Sequence, residues 1–114
     1  MSDVFPPPIR KLPRIDLPYA GVTGYLVQGP DEQVVFMEFS STVNVPEHAH
    51  DSQWELVVAG TVDLTVDGAT QTFTKGDCFF IPKGRRHAAT VHAGYHCIIF
   101  FDQKDRYHLQ KDSR

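Results

Sequence analysis

Between Tyr19 and Phe101 the chain is a series of short apolar runs, each closed by a turn signal. Thr61 to Val66 is the plainest: Val62, Leu64 and Val66 alternate with Thr61, Asp63 and Thr65. That period of two is a strand with one buried face. Asp67-Gly68 follows, the dipeptide of a tight two-residue hairpin, and Gln71 to Thr74 returns. The same reading predicts strands over Gly24–Gln28, Val34–Ser40, Val43–His50, Gln53–Ala59, Cys78–Ile81, His87–His92 and Tyr95–Phe101. Turns fall at Gly29-Pro30-Asp31-Glu32, Gly60, Lys75-Gly76-Asp77 and Pro82-Lys83-Gly84. No run ahead of the C-terminal tail carries a helical period. An all-β fold is expected, with the strands closed into a barrel or a two-sheet jelly roll.

Two flanking segments break the pattern. Residues 1–18 hold five of the chain's eight prolines and are expected to form an extended arm. Phe5, Ile9, Leu12, Ile15 and Leu17 recur along it, so the arm should pack on the domain or on a second subunit. Residues 19–102 form the expected barrel domain. The tail, 103–114, is polar and reads first as a solvated tail, with a turn of helix or an extended cap as the other forms open to it; as a cap over the barrel mouth it would let Arg106 or Tyr107 reach a ligand.

Composition narrows the partners. A chain of 114 residues favours one domain with one core. The net charge of -3 gives no electrostatic reason to bind DNA, RNA or an anionic membrane. The longest apolar run, Cys97 to Phe101, is far too short to span a bilayer. No secretion signal is visible, and Cys78 and Cys97 form no CxxC pair. Both are expected in strands as buried, reduced thiols of a cytoplasmic protein.

The chemistry concentrates in two stretches. Pro46 to Gly60 reads PEHAHDSQWELVVAG, and Lys75 to Val91 reads KGDCFFIPKGRRHAATV. His48 and His50 sit two apart, so a strand projects both imidazoles to one side. Gln53 breaks that period, but the turn-prone Asp51-Ser52 between them can swing it back. His87 arrives from a remote hairpin. Three imidazoles and one amide oxygen make an N3O set for a divalent transition metal: iron, nickel, zinc, manganese, cobalt or copper. Glu55 lies on the same inward face, with Trp54 and Leu56 outward. Glu55 is the other candidate for the fourth ligand. A non-ligating Glu55 is the candidate general base. His92 and His96 are expected to be exposed or behind the ligands. The aromatic set Phe36, Phe39, Phe73, Phe79, Phe80, Phe100 and Phe101 is expected to be mostly core.

His48-Ala-His50, Gln53 and Gly60 resemble the first cupin motif, HxH(x)nE…G. Gly76-(x)5-Pro82-x-Gly84-(x)2-His87 is similar to the second and matches its spacing. Counted back from Gly60, the resemblance puts Gln53 where the family usually places its ligand carboxylate; counted forward from His50, it puts Glu55 there. The resemblance, closest to small single-domain RmlC-like cupins of bacteria, implies a double-stranded β-helix with a central metal, usually in a homodimer. It implies three functional readings. One is metal-assisted isomerisation or lyase chemistry on a small oxygenated metabolite, a sugar acid or keto acid. The others are a metal-dependent dioxygenase and a non-catalytic metal- or ligand-binding module.

Overall fold

A computed structural model of the chain describes residues 4–111; the outer ends of the arm (1–3) and of the tail (112–114) lie outside the described residues. Helix α1 (Pro7–Arg10) precedes nine strands: β1 (Val22–Gln28), β2 (Gln33–Phe39), β3 (Val43–His48), β4 (Gln53–Ala59), β5 (Thr61–Val66), β6 (Ala69–Thr74), β7 (Cys78–Ile81), β8 (His87–Val91) and β9 (His96–Phe101). They form a five-stranded sheet, β1-β2-β9-β4-β7, and a four-stranded sheet, β3-β8-β5-β6. All pairings are antiparallel, and the chain crosses repeatedly from one sheet to the other. This is the expected all-β jelly-roll barrel.

Alternation builds the core. In β2, Gln33, Val35, Met37 and Phe39 are buried while the residues between them are less so. β9 supplies Cys97, Ile99 and Phe101 to the same interior. Each large apolar side chain buried there contributes about 1.5–3 kcal/mol against unfolding.

Two turns depend on left-handed backbone. Asp67 and Gly68 have φ of 51° and 81°, the type I′ geometry that the Asp-Gly pair predicted. Gly60 has φ of 83°, and a Cβ there would lie 2.7 Å from the Tyr95 Cα. A side chain would therefore push the β4–β5 corner off the turn before β9.

Three expectations need correction. The arm is not extended throughout, because Pro7 to Arg10 form a helical turn. Proline suits the first helical positions, where its missing N–H has no partner anyway. Past this turn the arm lies along the edge of its own β1: the Ile15 N–H donates to Gly24 O and the Leu26 N–H to Pro13 O. Cys78 is exposed rather than buried. On the edge strand β7, Phe79 and Ile81 take the inward positions, which turns Cys78 and Phe80 outward. Strand β3 ends at His48, short of His50, after a register shift between Val45 and His48. Cys97 is buried as expected, and both cysteines are free thiols.

The tail turns back over the barrel. Buried Gln33 clamps it: its Nε2 donates to Tyr107 O at 3.0 Å, and its Oε1 accepts from the Tyr107 N–H at 3.0 Å. Among the described residues no helix is long and apolar enough to cross a membrane.

Candidate metal centre

His48 ends β3, His50 follows in the bend, and His87 opens β8 directly opposite His48. The bend is tied down on both sides. His50 O accepts from the Gly84 N–H at 3.0 Å, and Ser52 O from the Asp102 N–H at 2.9 Å. The three rings converge: their centroids lie 4.2 Å (His48–His87), 4.8 Å (His50–His87) and 5.1 Å (His48–His50) apart. One ring nitrogen from each falls within 4.8 Å of the others, and among the described residues no carboxylate joins that group.

The far side of each ring is occupied by backbone. His48 Nδ1 lies 2.9 Å from Pro46 O, His50 Nδ1 2.6 Å from Asp51 O, and His87 Nδ1 2.9 Å from Arg85 O. A carbonyl only accepts, so each Nδ1 carries the proton and each Nε2 is left with a lone pair. This is the tautomer a metal-bound imidazole uses, fixed by its outer partner. Burial also disfavours the imidazolium. It pushes His50 down to about 4, with the Arg106 charge adding to the effect, and it lowers His87. Neutral, oriented imidazoles on one point fit a divalent ion.

Gln53 is buried on β4, between Phe101 of β9 and Ile81 of β7, and lines the same cavity. Its Nε2 donates to Glu55 Oε1 at 2.9 Å, which leaves its Oε1 as the free end of the amide. Glu55 lies one layer deeper. Its Oε2 accepts from the Tyr95 hydroxyl at 2.5 Å. Burial pushes Glu55 up to about 7, against the lowering effect of hydrogen bonds from Tyr95, Cys97 and Gln53. The partners of this buried carboxylate are thus all neutral donors.

The cavity has a volume of about 300 Å³ and runs from the histidines down the barrel axis. Arg106 and Tyr107 of the tail and Tyr19 line it as well. The Arg106 guanidinium lies 4.6 Å from the Tyr107 ring centroid and 5.8 Å from that of Phe101. Its Nε is buried without a hydrogen-bond partner. His92 and His96 stay outside the cluster: His92 Nε2 pairs with Asp63 Oδ2 at 2.7 Å, and His96 packs edge-on to Phe5. Trp54 is exposed, as its outward position required.

Tyr95 and Cys97 are cavity residues that reading the sequence missed. Their signal was parity. Tyr95, Cys97, Ile99 and Phe101 alternate along one face, and the buried Phe101 shares it.

The Cupin domain family model matches residues 35–100. Among curated proteins none matches the chain. Among solved structures, an RmlC-like cupin from Shewanella frigidimarina is 28% identical, with 82% of this chain and 86% of that one covered and a TM-score of 0.70. KdgF from Halomonas sp. is 21% identical, with 80% and 87% covered and a TM-score of 0.68. Oxalate decarboxylase of Bacillus subtilis is 17% identical with a TM-score of 0.70, and the match covers 85% of this chain but 29% of that one. The last two likenesses show the fold alone.

Proposed function

The chain belongs to the cupin family, and from that premise we propose that it is a metal-dependent enzyme of small acids, catalysing isomerisation or lyase chemistry on a sugar acid or keto acid. In this reading His48, His50, His87 and the Gln53 oxygen hold one divalent transition ion. The observation that carries the reading is the set of three imidazoles with every Nδ1 bonded to backbone and every Nε2 free at one cavity mouth. Such an ion supplies Lewis acidity toward a carbonyl or carboxylate oxygen.

The chain's own residues do the rest. Arg106, which lines the cavity beside the histidines, holds the substrate carboxylate through its guanidinium, and among the described residues no carboxylate joins the imidazole group to compete for it. Glu55 takes a proton from the carbon next to the carbonyl; a carboxyl raised to about 7 is matched to that work near neutral pH. Tyr95 and Gln53 orient it from below and above.

The test is a panel of unsaturated uronates and 2-keto acids, offered to metal-loaded protein and followed by absorbance. Turnover of one class, abolished by Glu55→Gln with metal content intact, is the expected result. Oxygen consumption by the iron-loaded protein, or full turnover by Glu55→Gln, would overturn it.

The assembly we infer is a homodimer. Phe80, Trp54, Phe100 and Val34 stand side by side across the outer face of four strands, and Phe80 is 61% exposed. An aromatic, uncharged row of this kind suits an isologous contact with its own copy. Sedimentation should give a dimer that Trp54→Glu dissociates; a wild-type monomer contradicts it.

A further inference from the structure

The walls beneath the histidines say what kind of acid the cavity takes. The barrel interior is stacked in layers set by strand register. The first holds Gln53 and Phe101 facing His48 and His87. In the second, Glu55 is flanked by Ile99 and Phe79 on one sheet, while Leu64 pairs with Ala89 on the other. In the third, Met37 pairs with Cys97, and Val62 with Val91. All of these residues line the one cavity.

The polar atoms in the lower two layers are already engaged with one another. The Tyr95 hydroxyl and the Gln53 amide N–H both donate to Glu55, and the Cys97 thiol joins the same carboxylate. The four-stranded sheet contributes Leu64, Ala89, Val62 and Val91 there, with no polar side chain among them. A sugar acid inserted below the metal layer would exchange the hydration of several hydroxyls for contact with hydrocarbon. Each hydroxyl would be desolvated with little in return. An apolar chain in the same place gains roughly fourfold in affinity per methylene buried.

We propose that the layers beneath His48, His50 and His87 form a subsite for an apolar tail, so that the preferred ligand is a 2-keto acid with a branched or aromatic side chain rather than a polyhydroxylated sugar acid. The acid's head stays at the mouth with the histidines and Arg106, and its tail lies against Leu64, Ala89 and Val91. This inference rests on the metal-site reading above and selects between the two substrate classes left open there.

The experiment is isothermal titration of zinc-loaded protein with four probes: 4-methyl-2-oxopentanoate, phenylpyruvate, pyruvate and glucuronate. The branched acid should bind about 50-fold more tightly than pyruvate, and glucuronate more weakly than either. Ala89→Leu fills the tail space and should cut the branched-to-pyruvate ratio to below about 5, with zinc content unchanged. Leu64→Ala enlarges the same space and should shift preference toward phenylpyruvate. Circular dichroism and zinc content verify that each variant is folded. Protein that retains no zinc overturns the metal reading and this one with it. Protein that retains zinc but binds glucuronate as tightly as the branched acid, or whose ratio survives Ala89→Leu, overturns the tail subsite alone.

Discussion

The mouth of the barrel and the layers below it both place polar side chains inside an apolar shell, yet they are built on opposite plans. At the mouth, His48, His50 and His87 satisfy one ring nitrogen each with backbone and leave the other free. Below, Glu55, Tyr95 and Gln53 satisfy one another. The first arrangement is incomplete without an outside group. The second is complete within itself, and its bonds hold Glu55 in place for the proton transfer proposed for it. The free nitrogens converge at the cavity mouth, where a group from outside can reach them.

The comparison can be broken most strongly at the mouth. His87→Ala should reduce zinc affinity by about a thousandfold or more, removing one of four proposed ligands. In wild-type protein, zinc at 100 times its dissociation constant should raise stability by about 2.7 kcal/mol. The variant should lose nearly all of that gain in a chemical denaturation, while its metal-free fold persists.

The two regions also titrate in opposite senses. Glu55 is raised in the folded chain from 4.5 to about 7. Its favourable contribution is fully present below pH 4.5 and is lost as pH rises through 7. Metal-free wild type should therefore fall by about 3 kcal/mol against Glu55→Gln across that window. His50 is depressed from 6.5 to about 4, so its contribution is present above pH 6.5 and lost as pH falls through 4. His50→Ala should flatten the acid limb, and Glu55→Gln the neutral limb, of a stability–pH curve measured by urea denaturation.

Tyr95→Phe should cost about 1–3 kcal/mol, because it strips Glu55 of a buried donor. The same change should leave zinc affinity within a few-fold if the floor only orients. The smallest effect belongs to the rim. Arg86 pairs with Glu47 at 3.2 Å, but both side chains are exposed. Arg86→Ala should change stability by less than about 0.5 kcal/mol and zinc affinity not at all.

How much was legible in the sequence follows the same division. The mouth was readable because its residues are set by local spacing: two histidines two apart, a bend, and a third histidine a fixed distance past Pro82 and Gly84. The Asp67-Gly68 hairpin was readable for the same reason, since positive φ at both positions admits few residue pairs. The floor was not, because Glu55 and Tyr95 are forty residues apart and no local period announces their bond. Nor was the Gln33 clamp on the tail, a glutamine in a strand whose partners lie 74 residues away. The turn of helix at Pro7–Arg10 was hidden by reading proline only as a breaker. Cys78 was misplaced because a buried prior for cysteine outweighed the parity of its own strand.

The most direct test of the central claim is a cobalt(II) titration followed by visible absorption. The account predicts one ion per chain, an imidazole-rich spectrum, and its loss in each of His48→Ala, His50→Ala and His87→Ala but not in Tyr95→Phe. A chain that binds no cobalt, or binds it equally well without those histidines, would contradict it.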